Sequence, residues 1–183
     1  MVYTRGVGGG APAFRPIAPP PELRLLVVNT HVPKDTAALV AGVRTLREAL
    51  PGVVEPLLQA IGGVAAAALA ALEGGCGGGG AAAAAGAHER LRELVRVNQG
   101  ALGALGVGHE ALDRVVAAAA RRGLAAKLTG AGGGGCALVL LPPSAGAGAE
   151  GGEEALAVEL TELGFSCCES RLGGEGVLVA VEA

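Results

Sequence analysis

The fold of this chain is decided by the stretch Lys127-Leu128-Thr129-Gly130-Ala131-Gly132-Gly133-Gly134-Gly135-Cys136. It lies between two apolar runs, Leu124 to Leu128 and Ala137 to Leu141, which predict two β-strands. A glycine-dense turn between strands allows backbone N–H groups to point into a common hollow, which suits phosphate or another anion. Thr129 adds a hydroxyl group and Lys127 a cation, so the sequence predicts an anion-binding loop.

Glycine density alone is weak evidence for such a loop in this chain. The sequence contains 33 glycines in 183 residues, and a second run, Gly77 to Gly80, has no flanking strand pattern. The Lys-Leu-Thr lead-in and the two flanking strands distinguish the stretch 127–136 from that run. The alternative, that the loop only packs against another part of the structure, stays open at this point.

Composition argues against several classes of function. A formal charge of −3 gives no electrostatic reason to expect nucleic acid, and aromatic residues for base stacking are only 2% of the chain. We therefore expect no nucleic-acid partner. The four cysteines show no C-x-x-C spacing and the three histidines lie far apart, so no metal site is predicted. Reduced thiols in a cytoplasmic protein fit this pattern better than a disulfide framework.

No targeting or membrane segment is predicted. The N-terminus lacks the charged-then-apolar pattern of a signal peptide. Mean hydropathy is +0.50 because alanine and valine are abundant. The most apolar window, Val64 to Leu72, is shorter than the ~20 residues that a membrane helix needs. We therefore expect a chain without membrane contact.

The rest of the sequence predicts one α+β domain over residues 22–183, after a flexible Gly- and Pro-rich lead-in over residues 1–21. Strands are predicted over 23–29, 165–171 and 177–181, the last two as a hairpin. Helices are predicted over 37–50, 53–72, 88–105, 109–122 and 153–163, with low-complexity loops at 73–87 and 144–152. This order predicts a mainly antiparallel sheet with helices packed on one face, a variant of the ferredoxin-like arrangement.

Two helix starts carry recognisable caps. Asp35 and Thr36 are natural N-caps for the first helix, and His109 or a neighbour is expected to cap the fourth. For His109 we favour this structural role over a catalytic one. Gly123 is expected to end the fourth helix as its C′ residue.

Four ordered motifs resemble the GHMP kinases and, within that family, the mevalonate kinase branch. They are Asn29-Thr30-His31-Val32-Pro33-Lys34-Asp35-Thr36 with the following Ala38 to Arg44, then Asn98-Gln99 through Leu112-Asp113, then Lys127 to Cys136, and finally Gly164 to Val181. The similarity extends over roughly Leu23 to Val181. His31 and Lys34 stand where the family usually has Lys and Arg.

The resemblance implies the C-terminal domain of a homodimeric cytoplasmic kinase. Such an enzyme uses ATP and Mg²⁺ to phosphorylate mevalonate to 5-phosphomevalonate in the synthesis of isoprenoid and sterol precursors. It implies that a substrate and phosphate cleft is lined by Lys127, Thr129, Gly130, Ala131, Gly132, Gly133, Gly134 and Gly135. Ala131 is expected to stay small so that the substrate fits.

Two family features are not found in this sequence. One is the Pro-x-Gly-x-Gly-x-Gly-Ser-Ser nucleotide loop, and the other is the catalytic Asp with its partnering Lys, expected upstream of Asn29. We therefore assign no catalytic residue and no metal ligand, and we expect the chain alone to be inactive. Two alternatives stay open: a non-catalytic GHMP-like interaction or regulatory domain, and an unrelated Ala/Gly-rich binding domain. A reading frame that continues upstream into the nucleotide loop would favour the kinase.

Overall fold

A four-stranded antiparallel sheet forms the centre of the computed structural model, which describes residues 2–4, 11–15, 23–75, 80–143 and 150–172. In chain order the elements are β1 (Val2–Thr4), β2 (Ala13–Arg15), β3 (Leu23–Asn29), α1 (Thr36–Ala49), α2 (Pro51–Gly75), α3 (Gly80–Ala104), α4 (Glu110–Ala120), β4 (Ala125–Leu128), β5 (Cys136–Leu140), α5 (Glu150–Glu162) and β6 (Ser166–Leu172). The sheet order is β4-β5-β3-β6, and every neighbouring pair is antiparallel. The predicted α+β class is therefore confirmed.

The central strands β3 and β5 are apolar on both faces of the sheet. Leu26 pairs with Val139, and both belong to a core cluster that includes residues of α4 and α5. The next pair along, Leu25 and Leu140, belongs to a second cluster with residues of α2 and α3. Because successive side chains of a strand point to opposite faces, the two clusters lie on opposite sides of the sheet.

Helices consequently cover both faces. On one face Leu112 of α4 and Leu156 and Leu160 of α5 are fully buried. On the other, Ala71 of α2 and Leu91 of α3 pack near β3 and β5. The expectation of helices on one face holds for α4 and α5 and is wrong for α2 and α3. The reason is that two apolar faces each need cover, whereas a strand of alternating polarity leaves one face to water.

Helix α3 also closes the outer edge of β4. The side-chain oxygen of Gln99 accepts a hydrogen bond from the Leu128 N–H group at 2.8 Å. Near the other end of the helix, His88 Nε2 lies 2.9 Å from the Leu141 carbonyl oxygen. An open strand edge invites pairing with other chains, and Gln99 takes up one backbone group at that edge instead, whereas His88 bonds the residue that follows β5.

The predicted caps of α1 and α4 are confirmed. Asp35 Oδ1 accepts from the Ala38 N–H at 3.0 Å, and His109 Nδ1 accepts from the Ala111 N–H at 3.1 Å. After α4 the chain reverses at Gly123, whose φ is +70°. This left-handed conformation is the one expected of a glycine that follows a helix.

The predicted loop over residues 73–87 is wrong for most of its length. Helix α2 continues to Gly75 and α3 begins at Gly80. Alanine has the highest intrinsic helix propensity. The alanines that follow Gly80 therefore form the first turns of α3, which packs against α2. Likewise α5 begins at Glu150, inside the predicted loop over 144–152, while residues 144–149 lie outside the described part of the chain.

The lead-in over residues 1–21 contains short ordered strands. Strands β1 and β2 pair antiparallel, and Arg15 Nη2 lies 2.8 Å from Glu73 Oε1 of α2. The prediction of a flexible lead-in is therefore wrong for these two segments. Strand β6 confirms the first half of the predicted closing hairpin, and its second half, residues 177–181, lies outside the described residues.

Helix α2 is longer than the apolar window that the sequence suggested. Its segment 51–74 has a mean hydropathy of 1.7 and is 6% buried, so by length and composition it could cross a membrane. A single helix of this kind is weak evidence for a membrane span. Glu55 of α2 forms a hydrogen bond at 2.6 Å to Arg47 of α1, and Ala71 is buried against α3.

Ion pairs tie α5 to its neighbours. Arg24 of β3 lies 2.8 Å from Glu169 of β6 and 2.8 Å from Glu153 of α5. Both bonds raise the pKa of the Arg24 guanidinium, and the bond to Glu169 has the larger effect. Glu159 of α5 accepts hydrogen bonds from Arg122, at 2.6 Å, and from Arg121. The hydrogen bond from Arg122, and to a smaller extent that from Arg121, holds the pKa of the Glu159 carboxyl below its ordinary value. The pairs fix the orientation of α5 on the sheet.

A matched pair of substitutions in α5 tests this packing. Leu160 is fully buried and Val158, on the same helix, is 53% exposed. We expect Leu160→Ala to lower the free energy of unfolding by about 2–5 kcal/mol, because it leaves a cavity in the core. Val158→Ala should change it by less than about 0.5 kcal/mol. Urea unfolding followed by circular dichroism measures both, and equal small losses would contradict the described packing of α5.

Candidate functional site

The loop between β4 and β5 is a turn in which five glycines have positive φ. The values are +75° at Gly130, +83° at Gly132, +66° at Gly133, +135° at Gly134 and +70° at Gly135. Residues with a side chain rarely adopt these conformations. The glycines at these five positions are therefore required by the backbone path of the turn.

One side of the loop touches the turn between α3 and α4. A methyl group placed on Gly132 would lie 2.0 Å from the Val107 carbonyl oxygen, a distance that no side chain can occupy. The same oxygen accepts a hydrogen bond from the Gly133 N–H at 2.9 Å. The absent side chain thus allows a backbone contact between segments that lie far apart in sequence.

The other side of the loop touches the segment between β3 and α1. A methyl group on Gly134 would lie 2.8 Å from the Val32 carbonyl oxygen. The Gly135 N–H donates to that oxygen at 3.0 Å, and the Gly135 carbonyl accepts from the backbone N–H of Thr30 at 2.9 Å. The loop is therefore held by carbonyl groups on two sides.

These bonds limit which N–H groups of the loop are free to bind an anion. Those of Gly133 and Gly135 already donate to Val107 and Val32. The remaining ones donate to no acceptor among the residues that the structure describes, and they belong to Gly130, Ala131, Gly132 and Gly134. The hollow expected from the sequence therefore has fewer available donors than the glycine count suggested.

Lys34 places its cation against the loop. Its Nζ atom would lie 3.0 Å from a methyl group placed on Gly130 and 3.0 Å from one placed on Gly135. Within the described ranges no carboxylate pairs with this exposed ammonium group. Sequence reasoning named Lys34 only as a basic residue of the first motif. The motif is the one sequence signal that points to Lys34, because Lys34 and the glycine loop lie about a hundred positions apart in the chain.

Lys127 lies in a different place from the one expected of a loop cation. Its Nζ donates to the neighbouring Leu128 carbonyl at 2.7 Å, and its side chain borders a groove between α2 and α3 beside Leu94 and Asn98. Burial in this apolar groove lowers the pKa of the Lys127 ammonium. Thr129, the other polar residue predicted for the loop, is half-buried, and its backbone N–H donates to the Cys136 carbonyl oxygen at 3.0 Å.

A cavity of about 330 Å³ opens where the loop meets α1 and the turn after α3. Its lining includes Lys34, Asp35, Leu39, Val107 and Gly133. Apolar walls with a few placed polar groups are typical of small-molecule sites, whose volumes are about 300–1,000 Å³. Gly133 is the one predicted site residue in this lining, where it lies with Lys34. The other predicted residues are outside the lining: Lys127, Thr129, Gly130, Ala131, Gly132, Gly134 and Gly135.

This site does not fit a resident magnesium ion. The described residues contain no group of three or more His, Cys, Asp or Glu side chains that could hold a metal. Asp35 is the one carboxylate that lines the cavity, and its Oδ1 already caps α1. Mg²⁺ in phosphoryl-transfer sites is usually held by one or two carboxylates together with waters and substrate phosphates, and the one carboxylate of this lining is already engaged by a backbone N–H group.

Sequence comparisons agree with this architecture. The family model described as GHMP kinases C terminal matches residues 80–151. Mevalonate kinase of Homo sapiens is 44% identical over 160 residues, which are 87% of this chain and 38% of that protein. Mevalonate kinase of Bos taurus is 41% identical over 164 residues, 90% of this chain and 40% of that protein. The chain thus spans about two-fifths of the length of these curated relatives.

Solved structures show the same similarity. The crystal structure of L. major mevalonate kinase in complex with R-mevalonate is 26% identical, with a TM-score of 0.70 over 87% of this chain and 44% of that one. The phosphomevalonate kinase of Streptococcus pneumoniae, in complex with phosphomevalonate and AMPPNP, shares the fold at 20% identity. Its TM-score is 0.67 over 88% of this chain and 43% of that one. The chain therefore belongs to the GHMP kinase family and carries the C-terminal domain of that family.

Proposed function

We propose that this domain forms one wall of the active site of a mevalonate kinase, which transfers the γ-phosphoryl group of ATP to the 5-hydroxyl group of mevalonate. The proposal is supported by 44% identity to human mevalonate kinase across 87% of the chain. It is also supported by the likeness to a structure that contains R-mevalonate. The product would be 5-phosphomevalonate, a precursor of isoprenoids and sterols, made in the cytoplasm.

The observation that carries the proposal is the contact of the Lys34 ammonium group with the glycine loop. Phosphoryl transfer depends on positioning and on stabilising the charge of the phosphoryl oxygens. A cation and N–H donors that are already in place before the reaction supply such stabilisation without reorganisation. We propose that Lys34 and the free N–H groups of the loop act in this way on an anionic ligand.

The other loop residues are proposed to shape the same wall. The hydroxyl group of Thr129 would hydrogen-bond the ligand, and Ala131 and the glycines from Gly130 to Gly135 would let it approach the backbone closely. Lys127 is proposed to support the start of the loop through its bond to Leu128.

Among the described residues, the lining of this cavity supplies no base for the hydroxyl group of mevalonate. The Asp35 carboxylate caps α1, and the other charged side chain of the cavity lining is the Lys34 ammonium group. Family resemblance assigns proton transfer and nucleotide binding to the part of the enzyme upstream of this domain. ATP is the family's cofactor, and we assign no residue of this domain to Mg²⁺.

A substitution at Ala131 separates a cleft role from a packing role. In an enzyme reconstituted by joining this chain to the N-terminal part of human mevalonate kinase, we expect Ala131→Val to raise KM for mevalonate or to lower kcat. Thermal stability should stay nearly unchanged. If the loop only packs, overpacking should cost about 1–3 kcal/mol of stability while the kinetics stay normal.

Gly132→Ala is the contrasting variant. Its added methyl group would lie 2.0 Å from the Val107 oxygen, so it should lower the melting temperature whatever the function of the loop. Lost stability with intact kinetics in Ala131→Val would contradict the cleft role. A folded chain that supports no turnover in the reconstituted enzyme would instead favour the non-catalytic interaction or regulatory domain.

The two lysines give a second test. We expect Lys34→Met to lower kcat/KM of the reconstituted enzyme about 10–100-fold, the effect of removing a preorganised charge from a phosphoryl-transfer site. Lys127→Met should have a smaller effect because its ammonium group bonds a backbone carbonyl outside the cavity lining. Steady-state kinetics of both variants measure the difference. A larger loss at Lys127 would show that the cation is the one predicted from the sequence.

We also propose that the active enzyme is a homodimer in which apolar residues of α1, of α2 and of the junction between them are covered. Val40 is 55% exposed, Leu50 51% and Val53 58%. We expect the chain to associate at micromolar concentrations and Val53→Glu to weaken that association, because a buried unpaired charge is costly. Sedimentation velocity measures the association of the chain. Val158→Glu is the control, because Val158 on α5 is similarly exposed. A monomeric wild-type chain would contradict the proposal.

A further inference from the structure

The segment that precedes α1 holds the glycine loop at one residue, Gly135. Thr30 donates to the Gly135 carbonyl twice, from its backbone N–H at 2.9 Å and from its Oγ1 at 2.7 Å. In return the Gly135 N–H donates to the Val32 carbonyl at 3.0 Å. Both backbone polar groups of Gly135 are therefore bound by residues two positions apart in one segment.

Thr30 is well buried for a polar residue. It is 5% exposed and is the one buried polar side chain among the residues that the structure describes. Its Oγ1 also accepts from the Val32 N–H at 3.4 Å. Burying a hydroxyl group is unfavourable unless it is hydrogen-bonded, so the bond to Gly135 accounts for its presence in the interior.

His31, between these two residues, has an unusual backbone. Its φ is +59°, and it is the one non-glycine residue with positive φ among the described ranges. Its N–H donates to Asn29 Oδ1 at 3.0 Å, and its Nε2 lies 2.7 Å from Ser166 Oγ on β6. Such a conformation persists only where the surroundings hold it. Here the bonds of Thr30 and Val32 to Gly135 hold it from both sides.

Lys34 lies beside the residue that these bonds hold. Lys34 follows Val32 by two residues, and its Nζ would lie 3.0 Å from a methyl group placed on Gly135. We propose that Thr30 is a positioning residue, whose hydroxyl group fixes Gly135 and thereby the place of the Lys34 ammonium group against the loop. The consequence for catalysis rests on the proposed function, whereas the positioning itself does not.

Amide hydrogen exchange of this chain, followed by NMR, tests the positioning without any turnover. The variants are Thr30→Val, which keeps the shape and loses the hydroxyl group, and Thr30→Ser, which keeps the hydroxyl group. Gly133, whose N–H donates to Val107, is the internal reference. We expect Thr30→Val to speed exchange at Gly135 about tenfold or more relative to Gly133, and Thr30→Ser to leave that ratio nearly unchanged.

Three outcomes of the exchange experiment would overturn the proposal. One is an unchanged ratio in Thr30→Val, and another is equal acceleration at both glycines, which would show a general loss of stability. The third is a Thr30→Val chain that does not fold while Thr30→Ser does, because the role of Thr30 would then be structural only.

Kinetics of the reconstituted enzyme test the link to catalysis. We expect Thr30→Val to lower kcat about tenfold or more with little change in KM for mevalonate, since a displaced charge weakens transition-state stabilisation. Thr30→Ser should restore most of the rate. An unchanged kcat in Thr30→Val, with an active wild-type enzyme, overturns the proposal. An inactive wild-type enzyme would refute the proposed function, and the exchange result would then decide the positioning role alone.

Discussion

The site depends on the close approach of the glycine loop to backbone carbonyls on both of its sides. At Gly132 there is no room for even a methyl group, since it would lie 2.0 Å from the Val107 oxygen. This contact and the one between Gly134 and Val32 bring three separate segments to one place. The cavity beside the loop exists because these segments meet, and Lys34 lines it for the same reason.

The same contacts limit the chemistry of the loop. The N–H groups of Gly133 and Gly135 are occupied by carbonyl oxygens and hold the loop rigid, so only the others can bind a ligand. A flexible glycine run would offer more donors, but ordering them around an anion would cost conformational entropy. A loop that is fixed in advance avoids most of that cost. Fewer donors in a fixed place, with a cation beside them, suit charge stabilisation better than many mobile ones.

What the sequence predicted correctly was local. The cap at Asp35 needs only a side chain three residues from its partner N–H, and the apolar run from Leu23 to Asn29 forms a strand within its own span. What it missed depends on distant partners. Strand alternation puts Lys127 and Leu128 on opposite faces, but alternation does not tell which face carries the site until the helices are placed. Lys34 lies in the segment after β3 and the glycine loop comes just before β5, about a hundred positions later, so their approach is beyond the reach of any local pattern.

Register links the core to the site. Strands β3 and β5 pair up to Asn29 opposite Cys136, and the next step beyond that pair brings Thr30 to Gly135. The bonds that hold the loop therefore continue the ladder of the two central strands. A shift of one residue would turn Leu26 and Val28 away from the cluster under α4 and α5 and would also separate Thr30 from Gly135. The apolar packing that fixes the register thus also fixes the site, and burial on both faces of the sheet makes that register costly to change.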